Sequence, residues 1–267
     1  MDGIETFSVM KGCTSEPLSF NRKMVAASAA VTAAKSTIHS LAQVDITESR
    51  SRIKEHFEKT GEKLSFTAYL VYCLAQVVRQ HPKLNAFKRG NRLITLEDLT
   101  ISVLVEREFM EEKVPEPVGI TAAQDLTYRE INDRIREAKA HSARSVGELA
   151  GMAWIRFIPG FLLKTFIRIA DRNIKLAKKY GKVAVTAVGM FSREPVWFIP
   201  HGSATLLLTV GSIEKRMVYT GERHEEREFL CLTGSFDHDI VDGAPAARFM
   251  NQFIETVKSG AYLRVDD

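Results

Sequence analysis

The sequence predicts an α/β fold with its sheet concentrated in the second half of the chain. Three observations carry this reading. Helical patterns dominate residues 20–80, a run of short apolar strands begins at Lys182, and residues 229–257 read as a strand, a tight polar turn and a helix. At 267 residues and 45% hydrophobic content the chain has ample material for one buried core, and a single domain over 1–267 is expected.

Residues 20–35 are alanine-rich and favour helix, with Ser19 placed to cap it. Residues 37–46 alternate as a strand, 47–59 are charged at helical spacing and stop at Gly61, and 64–80 form a strongly apolar helix ended by Pro82. Residues 85–88 and 92–95 flank Arg89-Gly90-Asn91 as a hairpin, so Lys88, Arg89 and Arg92 read as its solvated tip. A strand over 99–106, a charged run over 107–113, a strand over 114–120 and an amphipathic helix over 128–143 follow. Within 147–180 an apolar run, broken by Pro159-Gly160, leads into one amphipathic helix. Its apolar stripe is Leu163, Phe166, Ile167, Ala170, Ile174 and Ala177; its basic stripe is Lys164, Arg168, Arg172, Lys175 and Lys179. This reads as a helix covering the core with a solvated basic face, in preference to a membrane surface. Strands are then expected at 183–188, 196–199, 204–210, 213–219 and 229–236, punctuated by Gly202, Gly211 and Gly221.

The net charge of +4, from 37 basic and 33 acidic residues, is too mild to indicate nucleic acid and suits a phosphorylated cofactor equally well. Cys13, Cys73 and Cys231 lie far apart, which suggests neither a disulfide framework nor a metal site and fits a reducing cytoplasm. His201 and His224 stand alone in expected turns, so no metal is expected. No signal-peptide core or membrane-length apolar run interrupts the sequence, and a soluble protein is expected.

Chemistry concentrates at residues 235–249. His238 stands four residues before Asp242 in the turn between strand and helix, with Gly243 as the hinge. A histidine there can project into a cleft and accept a proton near neutrality, which makes His238 the best general-base candidate. Spacing alone equally allows two turn residues with Asp242 capping the helix.

The run Asp237, His238, Asp239, Ile240, Val241, Asp242, Gly243, Ala244 resembles the Asp-His-Arg-Val-x-Asp-Gly-Ala signature of the acyltransferase component of 2-oxo acid dehydrogenase complexes. Chloramphenicol acetyltransferase shares that fold and the His-x-x-x-Asp-Gly core. Asp239 stands where the family has arginine. The likeness extends to Lys63-Leu64-Ser65-Phe66, to Pro82–Ala86 and to the segment 184–189, and is weakest at 107–113 and 147–180. It implies a two-layer α/β sandwich with a mixed sheet and helices on one face, similar to chloramphenicol acetyltransferase.

The implied activity is coenzyme A-dependent acyl transfer to a thiol of the dihydrolipoyl type or another small acceptor, with His238 as base. Thr186 falls at the family's oxyanion-binding serine, although a threonine in a strand is unremarkable by itself. Ser65, Glu106, Thr186, Ala187 and Gly211 would line the coenzyme A side, and Arg52 or Lys54 would meet its phosphates. Arg22 would pair with Asp242 to hold the histidine turn. A homotrimer, or a larger cage, would set His238 of one copy opposite Thr186 of the next. A lipoyl domain, its subunit-binding domain and their linker are not found in the sequence, so lipoate is expected on a separate protein docking in trans, if at all. The large apolar groups Met152, Trp154, Ile155, Phe157, Ile158, Phe161 and Leu162 would cover the acceptor entrance or a neighbouring subunit, favouring a small acceptor. The competing expectation is a catalytically idle scaffold or regulatory subunit that keeps the oligomeric core.

Overall fold

Six strands form one mixed sheet in the order β1-β8-β7-β6-β4-β5 in a computed structural model that describes residues 13, 16–109, 112–140, 160–189, 192, 194–260 and 263. They are β1 (Thr37–Asp45), β4 (Ile101–Phe109), β5 (Glu112–Ile120), β6 (Val183–Ala187), β7 (Leu206–Tyr219) and β8 (His224–Asp237). Strands β4, β6 and β7 run parallel, while β1, β8 and β5 pair antiparallel with their neighbours. The short hairpin β2 (Ala86–Arg89) and β3 (Arg92–Thr95) stands apart as a second sheet.

The strand period of two sorts the side chains. Val183, Val185, Leu206, Leu208, Leu230, Leu232 and Phe236 enter the main core, where they meet α2 (Thr47–Thr60), α3 (Phe66–Val78), α4 (Tyr128–Ala140) and α7 (Gly243–Ser259). This is the expected two-layer arrangement. Helix α3 is nearly all apolar because it is buried on most sides; Ser65 caps it by accepting from the Ala68 amide at 3.2 Å. Helix α1 (Phe20–Thr32) packs through Met24 and Ala27 on Leu163 and Ile167 of α5 (Gly160–Asp171), and α6 (Ile174–Tyr180) packs Ala177 and Ile174 on Phe87, Ile94 and Leu96 of the hairpin segment. Among the described residues no helix is long and apolar enough to cross a membrane.

Three local expectations need correction. The helix expected through Asn173 is two helices, because the Asn173 carboxamide accepts from the amides of Lys175 and Leu176 and starts α6 afresh. The strands at 204–210 and 213–219 are one strand, β7, with a bulge between Val210 and Ile213. Residues 196–199 are irregular: Val196 exchanges bonds with Ser212, and the Trp197 indole turns away to donate to the Ala42 carbonyl at 3.0 Å. The charged run at 107–113 largely prolongs the β4–β5 hairpin, with Arg107 opposite Val114 and Phe109 opposite Glu112.

Candidate active site

Strand β8 ends at Asp237, and the chain turns through residues 238–242 before α7 begins. The turn is held from both sides. Asp237 accepts the Asp239 amide at 3.1 Å on its carboxylate, while the amides of Ile240 and Val241 donate to its carbonyl. The His238 amide donates to the Ser36 carbonyl at 2.7 Å, continuing the β1 ladder by one residue. Asp239, the residue that departs from the family pattern, forms a 2.7 Å ion pair with Lys88 of the β2–β3 hairpin. The Lys88 ammonium holds the Asp239 carboxyl below the usual carboxylate range.

His238 itself is 43% exposed, with Nδ1 lying 3.7 Å from Oδ1 of Asp242. That is an electrostatic contact longer than a hydrogen bond. Nε2 is then the nitrogen on the far side of the ring. The expected Arg22–Asp242 ion pair is not formed within the chain: Asp242 is 85% exposed and its ionic partner is His238. Arg22 is exposed on α1, a helix committed to α5 by its own apolar contacts.

Beneath the turn lies a group of four charges that sequence reasoning missed. Lys35 is 3.3 Å from the Asp237 carboxylate and 3.6 Å from that of Asp171, and it donates to the Ser203 carbonyl at 2.6 Å. Lys182 donates at 2.8 Å to both the carboxylate and the carbonyl of Asp171. Burial works against ionised Asp171, but the ammonium groups of Lys182 and Lys35 outweigh it and hold the carboxyl below its ordinary value. One signal was legible: Asp171 is the single acid in an otherwise basic helical stretch.

Thr186 lies further along the sheet, on β6. It stands opposite Thr209 on β7, and Thr209 stands opposite Thr233 on β8, so the three side chains form a row on the face away from the main core. Thr209 and Thr233 are buried, and their hydroxyls have no hydrogen-bond partner among the described residues. Backbones converge beside this row. A Cβ on Gly189 would fall 1.6 Å from the Gly211 carbonyl oxygen, and one on Gly211 would fall 2.4 Å from that of Val196. Both positions therefore require glycine.

Ala187 and Glu106 stand toward the same end of β6 and β4, and Gly211 sits in the β7 bulge, so these predicted coenzyme A residues lie near the level of Thr186, with Ala187 turned to the main core. Ser65 belongs to the helix layer and is engaged there: its amide donates to Asn132 and its carbonyl accepts from the Tyr128 hydroxyl. Arg52 and Lys54 are also engaged, Arg52 with Glu48 and the Gly260 carbonyl, Lys54 with Glu58.

His238 and Thr186 do not meet within one chain. Thr233 marks the level of Thr186 on β8, and His238 lies five residues beyond it, about 17 Å along the strand and two strands across. A site using both needs a second copy.

The family model for the catalytic domain of 2-oxoacid dehydrogenases acyltransferase matches residues 12–146 and 174–263. The chain belongs to this family. Among curated acyltransferase relatives, it is 28% identical over 193 residues to the dihydrolipoyllysine-residue acetyltransferase component of the acetoin cleaving system of Bacillus subtilis, covering 72% of this chain and 41% of that protein. It is 25% identical over 223 residues to the lipoamide acyltransferase component of the branched-chain alpha-keto acid dehydrogenase complex of the same organism, covering 81% and 45%. The chain thus spans less than half the length of these relatives. Among solved structures, a probable dihydrolipoamide acetyltransferase from Listeria monocytogenes superimposes with a TM-score of 0.70 at 19% identity, covering 94% of this chain and 96% of that one. The cubic core of a pyruvate dehydrogenase multienzyme complex gives 0.69 at 17% identity, covering 99% and 100%. At such identities the superpositions establish the acyltransferase fold.

Proposed function

We propose that this chain transfers acyl groups between coenzyme A and a dihydrolipoyl-type thiol or another small acceptor, in a site shared between two copies. The observation that carries this reading is the exposed His238 turn past the end of β8, in a family-matched chain whose sheet also carries Thr186 on β6. In the transfer, the acceptor S–H gives its proton to Nε2 of His238, and the thiolate attacks the thioester carbonyl carbon. Free thiols titrate near pH 8.5, so a neutral imidazole can take that proton at modest cost. The Thr186 hydroxyl of the other copy donates to the oxygen that gains charge. Collapse breaks the carbon–sulfur bond to coenzyme A, and the imidazolium returns its proton to the departing sulfur.

The close backbone packing of Gly189 and Gly211 holds β6 and the β7 bulge together beside Thr186. Assembly as a homotrimer or larger cage is the arrangement that would bring His238 of one copy to Thr186 of the next, and likeness to a cubic core supports it. Free Cys13, Cys73 and Cys231 suit a reducing compartment such as the cytoplasm.

The test follows free-thiol release from acyl-coenzyme A donors with small thiols and lipoylated domains as acceptors. His238→Ala should abolish transfer while leaving coenzyme A affinity unchanged. Thr186→Ala should lose about a hundredfold or more in turnover, and Thr186→Ser should be tolerated. Wild-type turnover in His238→Ala would refute the mechanism, and coenzyme A binding with no turnover in the wild type would favour an idle scaffold.

A further inference from the structure

The family match stops at residue 146 and resumes at 174, so α5 and Asp171 lie in the stretch that the family model leaves out. That stretch nevertheless reaches the turn carrying His238. From Asp171 the contacts run to Lys35 at 3.6 Å, from Lys35 to Asp237 at 3.3 Å, and from Asp237 to the Asp239 amide at 3.1 Å on the far side of His238. Lys182 locks Asp171 in place with two 2.8 Å bonds, and its own ammonium lies 5.0 Å from the centre of the Phe87 ring. The Lys182 carbonyl accepts from the amides of Thr205 and Leu206, and the Thr205 carbonyl accepts the Asp237 amide at 3.0 Å. Side chains and backbone therefore converge on Asp237 from α5, from the start of β6 and from the link between α1 and β1.

The four groups are two acids and two bases, balanced in charge. The side chains of Asp237 and Lys182 are only 8% and 6% exposed. A group of this kind tolerates the loss of a matched pair far better than the loss of one member, since one missing partner strands a buried charge. Its geometry also constrains the turn: if Lys35 shifts, the carboxylate that holds the Asp239 amide shifts with it.

We propose that Asp171 is a positioning residue for His238, acting through Lys35 and Asp237, and that α5 latches the catalytic turn in this chain. The proposal rests on the reading of His238 as the base. Asp171 touches no reacting atom; its effect is on where the imidazole stands. Because Thr186 lies outside this group, on β6, the latch acts on turnover and not on the binding of acyl-coenzyme A.

The experiment uses the full chain with isosteric Asp171→Asn, Lys182→Met and the double variant. Two quantities are read: kcat and KM for acyl-coenzyme A per folded protein, and the 13C-labelled imidazole resonance of His238, identified by its loss in His238→Ala. Asp171→Asn should lower kcat about tenfold with KM within about twofold, as expected for a displaced base. It should also move the His238 resonance while those of His56 and His224 stay fixed. Adding Lys182→Met to Asp171→Asn should restore much of both, by removing the cation left without its carboxylate. The latch is overturned if Asp171→Asn keeps wild-type kcat and an unmoved His238 signal, or if its loss of activity only tracks a smaller folded fraction. Should the wild type transfer no acyl group, the functional reading fails by itself, and the His238 resonance in the single and double variants still decides for or against the latch.

Discussion

Asp239 illustrates how one residue can leave its family pattern without leaving a hole. An arginine there would face Lys88, whose ammonium sits 2.7 Å from the present carboxylate. Lys88 is therefore not the idle tip residue that its turn-rich surroundings imply. Asp239→Arg should therefore destabilise the His238 turn by like-charge contact, and adding Lys88→Asp should recover most of the loss. Both residues are substantially exposed, so thermal melting should register an effect of about 1 kcal/mol or less in each direction. Equal melting temperatures for the single and double variants would show that the pair is not coupled. Arg22 is the opposite case. Its place near the start of the first helix matched the family, but a match in sequence does not fix where a helix docks, and α1 follows Met24 and Ala27 onto α5.

Helices α3 and α7 are joined by one buried hydroxyl. Tyr69, fully buried on α3, lies 3.3 and 3.2 Å from the carbonyls of Thr256 and Val257, in the last turn of α7, where helical carbonyls lack partners. Tyr69→Phe should cost about 1–2 kcal/mol in chemical denaturation, the price of stranding those acceptors. At the neighbouring corner Glu62 takes a bidentate bond from Arg129 at 2.6 and 2.8 Å and lies 2.9 Å from His56. Arg129 first, then His56, hold its carboxyl down at about 2 against an ordinary 4.5. The folded value is the lower one, so this contact stabilises fully above the unfolded pKa and is lost as pH falls from about 4.5 towards 2. Melting curves of wild type and Glu62→Gln should differ at neutral pH and converge near pH 2; a constant gap would contradict the assignment. Most elements were legible because helix and strand periods are local properties: Ser65, Gly61 and the Phe66–Val78 run announce α3 and the end of α2. What was not legible depended on distant partners. Gly211 reads as a strand end, but its missing side chain is what lets Val196 and Cys231 close on a continuous β7. The basic stripe of α5 and α6 is exposed as its periodicity requires, while Asp171 owes its role to Lys35, far away in sequence. The apolar run at 152–158 lies outside the described residues; Leu162 beyond it is 48% exposed.

At the scale of the whole molecule, the two proposed reactive groups stand apart, with His238 past the end of β8 and Thr186 about 17 Å away in strand length and two strands across. No side-chain rotation spans that gap. Joining the two groups therefore requires a site completed between copies. Mixed oligomers test it: His238→Ala chains keep Thr186, and Thr186→Ala chains keep His238. If each site takes the histidine of one copy and the threonine of the next in a ring, random assembly from equal amounts restores both groups in about a quarter of the sites. Co-expressing the two variants should then give about a quarter of wild-type acyl transfer, far above the sum of the separate variants. Activity no greater than that sum, in oligomers shown to contain both chains, would contradict a shared site.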